Sequence, residues 1–459
     1  MPVTIGLQFT EGSQVLATGE SSTVIGIVGT AAIGTPNVPF LITSMAEAIA
    51  RFGYNTAGAT IPNALARAYS SYGQIRFVVV NVAAPAVVAV APTSYTFNNQ
   101  DKIQLPHRHI ATPVVTAVGG TPVYVLDTDY TVDLVRGIIQ RKGSAIPAGA
   151  TVLAGYSRPD FAAVTATQIV GGVNAGTGKR EGLEALIDAE FVDLSPSNIG
   201  IIIAPGFSTL PTVIAKLSTL SDRLRAEYVL DAPATATIAE VQAGRTAGAA
   251  PVAHFATRDK RAILCYPNPI TGIGSEAKEE WFSIHVAEAM ATNPNWRSLT
   301  NLEIKGVTGW KTSLLTSASD PLADNQKLAD NGIVSYRNRN GRTPVFWGHF
   351  NAAYPIENPA EKGLDRIHFL RIVDAIKDQV DLELASYVGM RLGMAWGSAV
   401  AVIEASISRI IGENEGVDSG KIEYMPLASD LPNRKLAFRL EVKIPDVLDV
   451  ISVDLVFAL

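Results

Sequence analysis

Residues 3–9 alternate apolar and polar side chains, with Val3, Ile5, Leu7 and Phe9 on one side and Thr4, Gly6 and Gln8 on the other. This is the period-two pattern of a half-buried β-strand. The pattern returns twice at the other end. Leu436, Phe438, Leu440, Val442 and Ile444 alternate with Ala437, Arg439, Glu441 and Lys443; after a break at Pro445 and Asp446, Ile451, Val453, Leu455 and Phe457 alternate with Ser452, Asp454 and Val456. Ordering each terminal residue costs about 1–2 kcal/mol of backbone entropy, so ends that keep an apolar face point to a surface that receives them. That surface is either the chain's own sheet or the open sheet edge of a neighbouring subunit. The second alternative predicts ends that find no complete partner within their own chain.

Between these ends the texture changes three times. Residues 22–30 (STVIGIVGT) read as a short buried strand, and a helix follows with Ser44 as N-cap and Glu47 three positions on. A second helix over 61–72 leads into a Val-rich strand over 74–82. Strand, helix, helix, strand predicts an α/β layer. From 88 to 160, Pro and Gly punctuate short runs near 114–118, 123–126, 131–135, 137–140 and 151–156, which predicts a small all-β module. The α/β texture resumes after it, with strands at 199–204, 228–230 and 262–266 and a helix over 212–226, so the β module reads as an insertion. The last third reads as a strand over 367–372, helices over 375–389 and 398–411, and the terminal strands. The expected division is an arm and linker over 1–22, an α/β domain from 23–87 and 161–310, the inserted β domain over 88–160, and an α+β domain over 311–459 that shares its sheet with other subunits.

At 459 residues the chain fits about two to four domains. Charged residues make up 17% against a usual value of about 25%, while hydrophobic residues reach 47%, so much of the surface is expected to be covered by partners. The net charge of -6 argues against nucleic-acid binding. The longest apolar stretch, 395–411, is interrupted by Glu404 and Arg409, so no membrane insertion is expected. The first residues lack a basic segment followed by an apolar one, which predicts a protein made in the cytoplasm. Cys265 is the single cysteine and sits in an apolar run.

Candidate chemistry is sparse. In the glycine-rich segment 171–182 (GGVNAGTGKREG), Gly178 and Lys179 have Val173 where a phosphate-binding P-loop needs its first Gly and Arg180 where it needs a hydroxyl. Ser208 follows a buried strand and hints at a nucleophile elbow, but no G-x-S-x-G surrounds it. A hydrolase or nucleotide-using enzyme built on Ser208 or Lys179 is therefore the weaker alternative. His107 and His109 would share a strand face and read as structural rather than metal-binding. No cofactor, metal or catalytic residue is expected.

Low charge, missing chemistry and strand-like ends fit an assembly protein, and longer segments resemble one family. Residues 28–53 (VGTAAIGTPNVPFLITSMAEAIARFG), 171–176 (GGVNAG), 182–187 (GLEALI), 201–206 (IIIAPG), 230–233 (LDAP) and 286–309 (VAEAMATNPNWRSLTNLEIKGVTG) are similar, in this order, to contractile phage tail sheath proteins and to sheaths of R-type bacteriocins and related injection machines. The segments 328–333, 347–348 and 367–371 extend the resemblance into the last third; 88–160 lies outside it. Two departures stand out. Ala289, Met290, Ala291 and Thr292 replace an Ala-Arg-x-Asp block, and Arg371 is followed by Ile372 where the family pairs arginines.

The resemblance implies a virion protein assembled in the host cytoplasm as stacked hexameric rings around a tail tube, with baseplate and tail terminator proteins as further partners. It implies a sheath that contracts to drive the tube through a cell envelope. It also implies inter-subunit strands at Val3, Ile5, Leu7 and Phe9 and at Ile451, Val453, Leu455 and Phe457. The glycine- and serine-bearing segment 11–22 would serve as the arm's linker. Arg337, Arg339, Arg342, Lys377 and Arg391 are candidates for meeting an acidic tube surface.

Overall fold

A computed structural model describes residues 23–72, 75–82, 86–191, 198–272, 278–279, 281–356, 363–385, 396–413, 417–425 and 437–445. The end segments 1–22 and 446–459, and Arg391, lie outside these. The chain runs through β1 (Val24–Gly29), β2 (Phe40–Ile42), α1 (Met45–Phe52), α2 (Thr60–Ser71) and β3 (Phe77–Asn81). There follow β4 (Ala86–Thr96), β5 (Lys102–Gln104), β6 (Ala111–Ala117), β7 (Tyr130–Asp133), β8 (Ile138–Arg141) and β9 (Thr151–Asp160). Next come α3 (Ala166–Val170), a small hairpin of β10 (Gly172–Val173) and β11 (Arg180–Glu181), the 3-10 segment Gly182–Phe191, β12 (Ile199–Ile203), α4 (Pro211–Leu224), β13 (Glu227–Asp231) and α5 (Ile238–Ala247). Then β14 (Ala262–Cys265), β15 (Pro269–Thr271), β16 (Lys278–Glu279), α6 (Phe282–Ala291), β17 (Val307–Trp310), α7 (Asp324–Ala329), β18 (Ile333–Arg339) and β19 (Arg342–Trp347) precede α8 (Ile367–Leu384), α9 (Trp396–Gly412), β20 (Ser419–Tyr424) and β21 (Phe438–Lys443).

The main body is an eight-stranded sheet in the order β19-β18-β14-β13-β12-β1-β3-β2. Its six inner strands are parallel and the two outer pairs antiparallel. Every residue of β1, β3, β13 and β14 is buried, as a parallel strand covered on both faces requires. Helix α1 starts where its sequence says it should: Ser44 accepts from Glu47 N, and Glu47 reaches back to accept from Thr43 N. Replacing Ser44 by Ala is expected to lower stability by about 1 kcal/mol, read as a shift in the urea midpoint.

Residues 86–160 form two three-stranded sheets, β4-β9-β6 and β5-β8-β7, around their own core of Phe97, Ile103, Val115, Tyr130, Ile139 and Tyr156 among others. His107 and His109 are not on a strand and share no face. The His107 ring nitrogen Nδ1 lies 2.7 Å from the Tyr156 hydroxyl, while His109 Nε2 accepts from Tyr54 N and so ties this module to the turn after α1. That turn needs Gly53, whose φ is 84° and whose absent Cβ leaves room for the His109 ring.

Two expectations for the last third are corrected. The strand expected over 367–372 is the first part of helix α8, because Ile367, Leu370, Val373 and Ile376 repeat at helical spacing and are all buried. The packing also does not divide at residue 310. The β18–β19 hairpin closes one side of the main sheet, and Ile333, Tyr336, Phe346 and Ile367 belong to the main core. A separate small core begins further along α8, at Ile372, and takes in Ile376, Val380 and Leu384, α9 and β21. Helix α8 is thus a strut with one end in each core.

Candidate functional site

The second core carries a two-stranded sheet with no further strand on either side among the described residues. Its floor is helical. Ile372, Ile376, Val380 and Leu384 of α8 and Ile403, Ile407, Ile410 and Ile411 of α9 supply apolar stripes at three- and four-residue spacing. Over them β20 and β21 pair antiparallel, from Ser419 opposite Lys443 to Tyr424 opposite Phe438. Val442 is buried, with Ile422, Phe438 and Leu440 half-buried against the floor, while Lys421, Glu423, Arg439, Glu441 and Lys443 face solvent. Opposite charges sit across the ladder, Lys421 by Glu441 and Glu423 by Arg439. The strand expected over 436–444 therefore has a partner, β20, inside its own chain, while the end strands expected at 3–9 and 451–457 lie outside the described residues.

The phase of the ladder fixes which backbone groups remain for a newcomer. Met425 N donates to Ala437 O at 2.8 Å, so odd-numbered residues of both strands point their backbone groups inward. Phe438, Leu440 and Val442 then present theirs along the outer edge of β21, and Ile422 and Tyr424 along the outer edge of β20. A lone hairpin is marginal in water, and this one is stable only as a lid on its helices. An extended segment with one apolar face, laid along either edge, would prolong both the ladder and the apolar floor.

A polar joint links this module to the main body along α8. Arg261, just before β14, donates to Asp374 at 2.6 Å and to Asp222 of α4 at 3.1 Å. Arg225 bridges Asp378 and Asp381 at 2.8 and 3.0 Å, and Arg371 donates to Met290 O and Asn295 Oδ1. Glu227, the first residue of β13, is buried and its Oε1 has no hydrogen-bond partner among the described residues. Burial pushes its carboxyl from the ordinary 4.5 up to about 8, against the pull of Arg371. The folded chain holds this proton more tightly than the unfolded chain, so the contribution is complete below 4.5 and is lost as pH rises through about 8. Glu227→Gln is expected to flatten that decline in melting temperature between pH 4.5 and about 8; an unchanged slope in the variant would contradict this.

The candidate tube-facing cations do not form one patch. Arg337 stacks 4.7 Å above the Trp347 ring, Arg339 pairs with Glu303 at 2.9 Å, and Arg342 is exposed; all three lie on the β18–β19 hairpin. Lys377 instead turns into the polar joint, 4.0 Å from Asp374, with its side chain 14% exposed. The elements offered for enzymic chemistry are occupied differently. Ser208 is buried and donates to Asp231 Oδ2 at 3.1 Å, and the same carboxylate accepts from Ser283 N and Oγ and from the Cys265 thiol. Burial pushes the Asp231 carboxyl up while the Ser283 donors hold it down. His254 meets the Asp231 backbone carbonyl rather than Ser208. The glycine-rich segment is the β10–β11 turn, in which Asn174 Oδ1 accepts from Gly176 N and Thr177 N. At the end of β1, beside the reversal of strand order where open α/β sheets bind ligands, Thr30 and Thr60 exchange backbone-to-hydroxyl bonds.

No protein-family model matches the chain. A tail sheath protein of Burkholderia phage BcepMu is 36% identical over 345 residues, covering 73% of this chain and 71% of that protein. A putative prophage major tail sheath protein of Pseudomonas aeruginosa is 28% identical over 165 residues, 34% of this chain and 39% of the relative. Among solved structures, the helical sheath of the anti-feeding prophage in its contracted state matches with a TM-score of 0.56 at 12% identity, covering 99% of this chain and 98% of that one. The sheath tail protein of Desulfitobacterium hafniense matches with a TM-score of 0.53 at 10% identity, covering 96% and 100%.

Proposed function

Because the chain belongs to the tail sheath protein family, we propose that it is a non-catalytic sheath subunit that polymerises as stacked hexameric rings around a tail tube and contracts to drive that tube through a host envelope. Assembly takes place in the host cytoplasm, with the tube, baseplate and tail terminator proteins as partners. The observation that carries this reading beyond family membership is the β20–β21 hairpin, a finished apolar floor under an unfinished sheet. The segments carrying Val3, Ile5, Leu7 and Phe9 and Ile451, Val453, Leu455 and Phe457 have the alternation that such a sheet accepts. Donated strands keep each subunit tethered while rigid bodies rotate and close up, with 11–22 as the linker that re-aims the arm.

In this arrangement the α8–α9 module lines the tube, the eight-stranded body lies outside it, and 86–160 is outermost. Arg342 is the exposed one of the described candidate cations, but it starts β19 of the eight-stranded body and so is not assigned to the tube. Negative-stain images of the purified full chain are expected to contain hollow, cross-striated cylinders; single particles at every concentration and salt would contradict the reading. A narrower test uses Leu440→Pro. The Leu440 N–H points away from β20, so proline removes a bond that only an added strand makes. The variant should fold and fail to form cylinders, and cylinders of ordinary length would argue against strand addition at β21.

A further inference from the structure

The two outer edges of the hairpin are not equally open. Tyr424 N, at the end of β20, donates to the Glu404 carboxylate of α9 at 3.1 Å. The ladder phase makes this one of the groups that an added strand would use. No such side-chain acceptor meets β21 among the described residues, where Phe438, Leu440 and Val442 present the outer edge. The geometry that places Glu404 there is built into both elements. Ile411 lies two turns beyond Glu404 on the same side of α9, and a Cβ at Gly420 would come within 2.6 Å of the Ile411 side chain. The helix spans about 10.5 Å between Glu404 and Ile411, and β20 spans about 13 Å between Tyr424 and Gly420. With Gly420 allowing the close approach at one end, the carboxylate is brought to the strand edge at the other.

We infer that Glu404 guards the outer edge of β20 in the unassembled subunit, and that residues 3–9 of a second copy displace it during polymerisation. The inference rests on the sheath reading above. A backbone carbonyl from the incoming strand takes the place of the carboxylate on Tyr424 N, and no covalent bond changes. The choice of segment follows from charge. Residues 3–9 carry no charged side chain and can run beside Glu404 and Glu423 without like-charge cost. The C-terminal segment carries Asp454, which meets a net negative edge at β20, where Glu404 and Glu423 outweigh Lys421, and a net positive one at β21, where Arg439 and Lys443 outweigh Glu441. The unguarded β21 edge therefore fills first and the β20 edge second, which keeps newly made chains from pairing along both edges at once.

The test compares the wild-type full chain with Glu404→Ala and Glu404→Gln for the concentration at which cylinders first form, measured by sedimentation. Loss of the guard in Glu404→Ala is expected to lower that concentration about tenfold, equal to about 1.4 kcal/mol. Glu404→Gln keeps a neutral acceptor and should fall between. A folded Glu404→Ala chain with a wild-type or higher threshold overturns the guard while leaving the sheath reading intact; a wild-type chain that never forms cylinders defeats the sheath reading itself. Hydrogen exchange on the wild type decides the matter even if the alanine variant misfolds. In the free subunit the Tyr424 amide should be protected and the Ile422 amide should exchange at least tenfold faster, and in cylinders both should be protected. Equal exchange of the two in the free subunit overturns the inference.

Discussion

Deleting residues 1–9 is expected to leave a folded, soluble chain that forms no cylinders at any concentration. The described members of the main core, the core of 86–160 and the hairpin core all lie between residues 24 and 444, and the fold is expected to survive without the first nine residues. The melting temperature should therefore stay close to that of the full chain. What the deletion removes is the segment proposed to complete a neighbour's sheet. A single strand is weakly held, since ordering it costs about as much per residue as its contacts return. In a lattice the loss is repeated at every subunit, so the effect on polymer is all or none. Sedimentation and electron microscopy read the outcome, and cylinders from the truncated chain would refute strand donation by this end.

Replacing Asp374 by Ala is expected to cost about 3–5 kcal/mol in urea unfolding, the cost of leaving a buried charge without its partner. Arg261 and Asp374 are both almost fully buried, and the other carboxylate that Arg261 bonds among the described residues, Asp222, is exposed. Replacing both members of the pair by apolar residues of similar size should recover most of the loss, because the penalty comes from the orphaned guanidinium rather than from the missing attraction. The position matters for assembly, since Asp374 is on the part of α8 that leaves the main body and enters the hairpin module. A change below about 1 kcal/mol would mean that the joint is not held by this pair.

The legible parts of the fold were those with local causes. Ser44 and Glu47 announce α1, and the short apolar runs at β1, β12 and β14 read as covered strands. Strand allegiance was not legible. The β18–β19 hairpin joins the main sheet through Leu264 and Cys265 opposite Ile333 and Val334, a pairing across nearly seventy positions that no local pattern encodes. Residues 367–372 (IHFLRI) were misread because six residues are too few to fix a period, and the helix shows only when Ile376, Val380 and Leu384 are counted with them.

The candidate site was half visible. β21 stands out by alternation, but its partner β20 has glycine at one of its three floor-facing positions, so Ile422 and Tyr424 alone carry the pattern. Glu404 looked like an interruption of an apolar helix and instead reaches the edge of β20. Lys377 is a contrasting case, since a cation on a helix reads as solvent-facing, and only the fold brings it 4.0 Å from Asp374 with its side chain 14% exposed.

The most direct test is a structure of the assembled cylinder at a resolution that traces backbone hydrogen bonds. Residues 3–9 and 451–457 should each be paired along an outer edge of a β20–β21 hairpin belonging to another subunit. If both segments are bonded only within the chain that carries them, the proposed lattice of donated strands is wrong.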